Sequence, residues 1–168
     1  NIMIDLNKMF TFDKKFFAAM GRGVVKRHRS LVRNKGLDAD SKPFKPYTAE
    51  YERRKKAGKY KGQNMAYAKG NVNLSLTGKM LDSLRLIKVL KFGFRYGITA
   101  KIQARKMIGH FTGRFGKNKG TVRKISTEDN PMHKEIQDII MTVIAKKGQN
   151  NIRKEIRKQN FGKKVVEI

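Results

Sequence analysis

Three histidines, two pairs of carboxylates and one glycine-rich basic stretch are the groups whose types and spacing bear on chemistry. His28, His110 and His133 form neither an HExxH motif nor an i,i+4 pair, so the spacing that a helix-borne zinc site needs is lacking. Each reads as a structural histidine: on a helix face, in the glycine loop and in the first turn of a helix. Asp38 and Asp40 flank Ala39 in a loop, but two carboxylates do not supply the oxygen cage of a hard cation. A metal-dependent nuclease would need such a cage. Glu128 and Asp129 precede a helix, where negative charge favours the helix dipole. Gly78-Lys79 runs into Met80, and Asn73 stands where the first glycine of a phosphate-binding loop belongs. With no cysteine there is no thiol nucleophile, disulfide or cysteine-ligated metal, which fits a reducing compartment. These exclusions predict a chain that is not an enzyme and uses no cofactor and no metal.

Charge is the stronger signal. Forty Lys+Arg against 13 Asp+Glu leave a formal net charge of +27 on 168 residues. A chain so basic attracts polyanions and repels copies of itself. The basic residues run from Lys8 to Lys164, so they belong to the surface of a folded unit rather than to a detached arm. Gly109, Gly113, Gly116 and Gly120 are interleaved with Arg114, Lys117 and Lys119. That stretch reads either as a phosphate-contacting loop or as a segment that orders against a neighbour. With Arg105, Lys106, Arg123 and Lys124, these three side chains form the densest group of candidate polyanion or interface contacts. Tyr47, Tyr51, Tyr60 and Tyr67 lie in polar context, where they either stack on bases or anchor a protein interface. Phe16, Phe17, Phe92, Phe94 and Tyr96 read as core. Pro43-Phe-Lys-Pro46 matches PxxP but reads as a rigid turn. The longest apolar stretch, 139–145, falls far short of the ~20 residues that cross a bilayer, and no membrane partner is expected.

The elements that must position these groups follow from periodicity and capping. Asp13 caps a helix to Arg33, with Phe17, Met20, Val24 and Leu31 on one face and Asn34-Lys-Gly36 ending it. Thr48 caps a short helix, Ala49 to Ala57, stopped by Gly58. Lys59 to Asn73 reads as a long exposed loop. Thr77 caps a helix burying Met80, Leu81 and Leu84. Leu86 to Phe92 and Phe94 to Thr99 read as strands turning about Gly93. Ala100 to Ile108 reads as a helix ended by Gly109, and Thr121 to Ile125 as a strand. Asn130-Pro131 opens an amphipathic helix to about Lys147, closed by Gly148, and Asn150 to Gln159 forms a separate basic helix. The expected fold is α+β: a long N-terminal helix and a late amphipathic helix packed on a small antiparallel sheet. It forms a single domain over 1–168, with a basic helical extension over about 149–168. The chain begins on Asn1 rather than Met, as a processed or trimmed product would.

Two segments carry a resemblance. Gly36-Leu-Asp-Ala-Asp-Ser-Lys-Pro-Phe-Lys-Pro-Tyr-Thr-Ala-Glu-Tyr-Glu-Arg-Arg-Lys55 and Asn73-Leu-Ser-Leu-Thr-Gly-Lys-Met-Leu-Asp-Ser-Leu84 are similar to the virion-morphogenesis, neck and tail-completion proteins of tailed bacteriophages, Mu-like members included. That family shows a Lys-Pro-Phe-x-Pro turn, a basic helix, a loop, and then Leu-x-x-Thr-Gly before a hairpin. Arg123-Lys124-Ile-Ser126, with Glu128-Asp129 after it, resembles a later family stretch but lacks its Phe-Leu-Gly. The resemblance implies a structural virion protein, assembled in the host cytoplasm, that forms a homo-oligomeric ring at the neck or tail end. Its partners would be the head connector or portal adaptor and tail proteins, with packaged DNA as a non-specific contact. The loops Lys59 to Asn73 and Gly109 to Gly120 would then order on assembly. The alternative is a basic module that binds the phosphates of DNA or folded RNA.

Overall fold

The computed structural model describes residues 12–68, 72–75, 77–114, 121–125 and 133–164, the last six without side-chain detail. It is an α+β fold, as the periodicity predicts. Helix α1, Lys14–Ser30, begins where the Asp13 carboxylate accepts the amide hydrogen of Phe16 at 2.6 Å. It continues as one π-helical turn, Leu31–Lys35, and stops at Gly36, whose φ of 66° is left-handed. The buried face comprises Phe17, Gly21, Val24, Val25, His28, Leu31 and Val32.

The short helix α2, Ala49–Lys56, is capped by Thr48, whose hydroxyl accepts from the Tyr51 amide. Chain reversal at its end falls on left-handed Gly58. The loop after it is largely exposed as far as Ala66, as expected, and folds back only at its end. A 3-10 turn, Met65–Tyr67, leads to buried Ala68, Val72 and Asn73. Residues 69–71 lie outside the described set. Helix α3 is one turn, Lys79–Asp82, with Gly78 left-handed before it and Met80 and Leu81 buried.

Strands β1, Leu84–Leu90, and β2, Gly93–Ile98, pair antiparallel from Leu84↔Ile98 to Leu90↔Gly93, with a bulge between Leu86 and Lys88. The turn therefore falls on Lys91-Phe92 and not about Gly93. Phe92, expected in the core, sits at that tip and is 81% exposed. A two-stranded sheet is marginal alone, so α1 must cover it. Gly21 makes that approach close: a Cβ there would lie 2.6 Å from Leu86 Cδ1.

Helix α4, Lys101–Phe111, runs through Gly109, which is buried inside it. The left-handed residue beyond its end is Gly113. Residues 121–125 form no strand. The Arg123 amide donates to His110 O and Lys124 O accepts from Ala39 N, single bonds to two different segments instead of a ladder. The expected helix start at Asn130-Pro131 lies outside the described residues. From there one helix, α5, Lys134–Lys164, passes straight through Gly148, where a break into two helices was expected. Its first turn is anchored by Glu135, which pairs with Arg27 and, at 3.4 Å, with Lys35.

Two apolar clusters result among the described residues. Val32, Phe44, Val72, Leu74, Met80, Leu81 and Ile125 form one; Val24, Leu31 and Ile136, with Phe94, Tyr96 and Ile140 against them, form the other. The late helix thus reaches the hairpin through its first two turns. No helix among the described residues is long and apolar enough to cross a membrane.

Candidate functional site

Pro43 and Pro46 stiffen the approach to α2 and present Tyr47 to the first cluster. Arg123 closes over it. Its guanidinium carbon lies 5.2 Å from the Tyr47 ring centroid, and its Nη2 donates to Lys45 O at 3.1 Å and Pro46 O at 3.3 Å. Tyr51 lies 4.7 Å from Tyr47 and 5.1 Å from Tyr60, centroid to centroid, with Arg54 over Tyr60. Burial, and then Tyr51, push the Tyr47 phenol up to about 12. Burial, and then Tyr60, raise Tyr51. Burial holds the Arg123 guanidinium below its ordinary value, against the opposing pull of Tyr47 and Tyr51.

Lys55 belongs to the same assembly. Its ammonium donates to Asn73 Oδ1 at 2.6 Å and sits 5.0 Å from the Tyr47 ring, and burial lowers it to about 8. It reads from sequence as one more charge on a basic helix, yet it is almost wholly enclosed. The aromatic and cationic groups here engage one another, so Tyr47 and Tyr60 act as intramolecular contacts. Tyr67 does likewise: Arg33 lies 4.5 Å over its ring, and the ring edge rests on Gly78.

The basic candidates separate. Arg105 and Lys106 are exposed on α4, and Arg114 is exposed just beyond it, its amide donating to Gly109 O at 3.0 Å. The Lys124 side chain is exposed as well. Arg123 is withdrawn into the Tyr47 clasp, and Lys117 and Lys119 lie outside the described residues.

His28 and His133 are packing groups. His28 is buried between the Tyr96 hydroxyl at 3.2 Å and Ile125 O at 3.0 Å, with its ring edge-on to His133 at 5.1 Å. Burial, and then His133, lower it to about 4. His133 is fully buried, and neither ring nitrogen has a hydrogen-bond partner among the described residues. Burial lowers it too, against the pull of Asp38 and Asp40. The Asp38 carboxylate accepts from the amides of Asp40 and Lys42, at 3.0 and 2.8 Å, and so shapes a turn. Among the described residues no group of three or more His, Cys, Asp or Glu is placed to hold a metal.

A cleft of about 520 Å³ lies between α1 and β1, outside every candidate read from sequence. Arg22, Lys26 and Arg29 line it from the helix and Arg85 from the strand, with Val25 and Leu86 beneath and Asp82 at one end. The signal was present in the spacing. Residues 22, 26 and 29 fall on one helical face, and only the hairpin brings Arg85 opposite. Arg29 donates to the carbonyls of Asp82, at 3.0 Å, and of Leu84. Arg33 pairs with the Asp82 carboxylate at 2.7 Å. Comparison with protein-family models, curated proteins and solved structures gave no match.

Proposed function

We propose that this chain is a structural subunit of a tailed-phage particle, acting in a ring at the neck or tail end. The observation that carries the reading is the placement of exposed apolar side chains on a strongly basic chain. Ile87, Leu90 and Phe92 stand at the hairpin, Ile102 and Ile108 on α4, and Ile139, Met141 and Val143 on α5. Exposed apolar groups spread over several elements suit a subunit that touches more than one neighbour. The segments that carry the family resemblance support it as fold determinants: Phe44, Leu74, Met80 and Leu81 share one cluster, and Tyr67 lies on Gly78. A charge of +27 opposes self-association in dilute solution, so assembly uses contacts that outweigh it. Native mass spectrometry of the purified chain tests the reading. The expected result is one closed oligomer that Phe92→Ser combined with Leu90→Ser returns to monomer. A monomer at every concentration would overturn it.

A further inference from the structure

We propose that the cleft between α1 and β1 binds the phosphodiester backbone of nucleic acid without reading its sequence. This site does not depend on the ring reading, and it lies apart from the basic residues around α4. Arg22, Lys26, Arg29 and Arg85 converge on one concavity. The single carboxylate that lines it among the described residues, Asp82, is already engaged by Arg33. The cleft therefore presents uncompensated positive charge.

The chemistry favours phosphate over an acidic protein segment. Three of the four cations are arginines, whose planar forks match phosphate oxygens in pairs. Arg29 is held by two backbone carbonyls, which fixes the end of the cleft nearest Asp82 before any ligand arrives. Its Nε is buried and has no acceptor among the described residues. Arg22, Lys26 and Arg85 are exposed and make no ion pair among the described residues. An acidic protein segment would need an apolar anchor point as well. Val25 is buried in the helix face and Leu86 is half-covered, so the floor offers only a small one. Among the described residues no aromatic ring lines the cleft to stack a base, which leaves the backbone as the recognised part. From Arg22 to Arg29 the helix rises about 10 Å, roughly three base-pair steps of a duplex. The row therefore tracks several phosphates.

Fluorescence anisotropy on the full chain tests this, using labelled mixed-sequence DNA and RNA duplexes of equal length and a polyglutamate peptide as a third probe. The cleft variant is Arg22→Ala, Lys26→Ala and Arg85→Ala together. A charge-matched control replaces exposed Arg153, Lys154 and Arg157 with Ala. The expected result is a loss of duplex affinity at least about tenfold beyond the control, with the slope of log affinity against log salt shallower by about 2–3. Arg22→Lys with Arg85→Lys should keep the slope. Loss on one duplex alone still supports a backbone site and identifies its source. If the triple variant does not fold, Arg85→Gln alone should flatten the slope by about 1. Equal loss in cleft variant and control, or a loss confined to polyglutamate, would overturn the proposal.

Discussion

Arg123 and Tyr47 form a clasp: the guanidinium carbon lies 5.2 Å from the ring centroid while Nη2 holds the carbonyls of Lys45 and Pro46. The contact joins segment 121–125 to the proline-stiffened turn that precedes α2. A residue that reads from sequence as a polyanion contact is thus spent on closing the fold. Arg123→Ala should cost about 2–3 kcal/mol, the sum expected for a half-buried cation–π contact and charge-assisted hydrogen bonds. Arg123→Lys should recover only part of this, because an ammonium cannot span both carbonyls and lie flat on the ring. Urea unfolding of the three proteins measures it. A variant as stable as wild type but weaker in binding polyanions would return Arg123 to the surface role.

Leu81 and Phe92 make opposite demands. Leu81 is 0% exposed and Phe92 is 81% exposed. Leu81→Ala should cost about 2–5 kcal/mol. Phe92→Ser should leave monomer stability within about 0.5 kcal/mol and act only on assembly. A large loss of thermal stability in the Phe92 variant would show that the hairpin tip packs within the chain.

Gly78 holds a φ of 79°, and a Cβ there would lie 2.5 Å from Tyr67 Cε2. Gly78→Ala combines left-handed strain with that clash and should cost more than about 1 kcal/mol. The Tyr67 ring is expected to move off Arg33, visible as a change in its ring-proton shifts. An unstrained, equally stable variant would contradict the close approach.

Acidification should destabilise the fold through its histidines. His28 falls from 6.5 to about 4 on folding, and His110 to about 4, in both cases chiefly by burial. The native state therefore keeps these rings neutral while the unfolded chain protonates. Their stabilisation is complete above pH 6.5 and is lost as the pH falls towards 4. His28 alone accounts for about 3 kcal/mol over that window. Lys55, lowered to about 8, acts in the same sense at higher pH, so stability should rise again above pH 8. Unfolding free energies measured between about pH 7 and 5, for wild type and His28→Gln, check the sign. An equal slope in both proteins would remove His28 from the account.

Caps and stops were legible where one residue decides them. Asp13, Thr48, Gly36 and Gly58 act locally, through a side-chain acceptor or a left-handed φ. The glycines inside helices were not. Gly109 and Gly148 each cost only about 1 kcal/mol in a helix, which the hydrogen bonds of adjacent turns offset, whereas Gly113 takes the left-handed φ that ends a helix. The buried state of Lys55 and the withdrawal of Arg123 depend on partners far along the chain, Asn73 and the Lys45–Pro46 carbonyls. Composition counts such residues as surface charge. The α1–β1 cleft was half legible, since its helix row shows in the spacing and its strand residue does not.

Electron microscopy of the purified full chain tests the central claim most directly. The account predicts closed particles with rotational symmetry and a central opening, built from identical copies of this basic subunit. A population of monomers, or open filaments in place of rings, would contradict it.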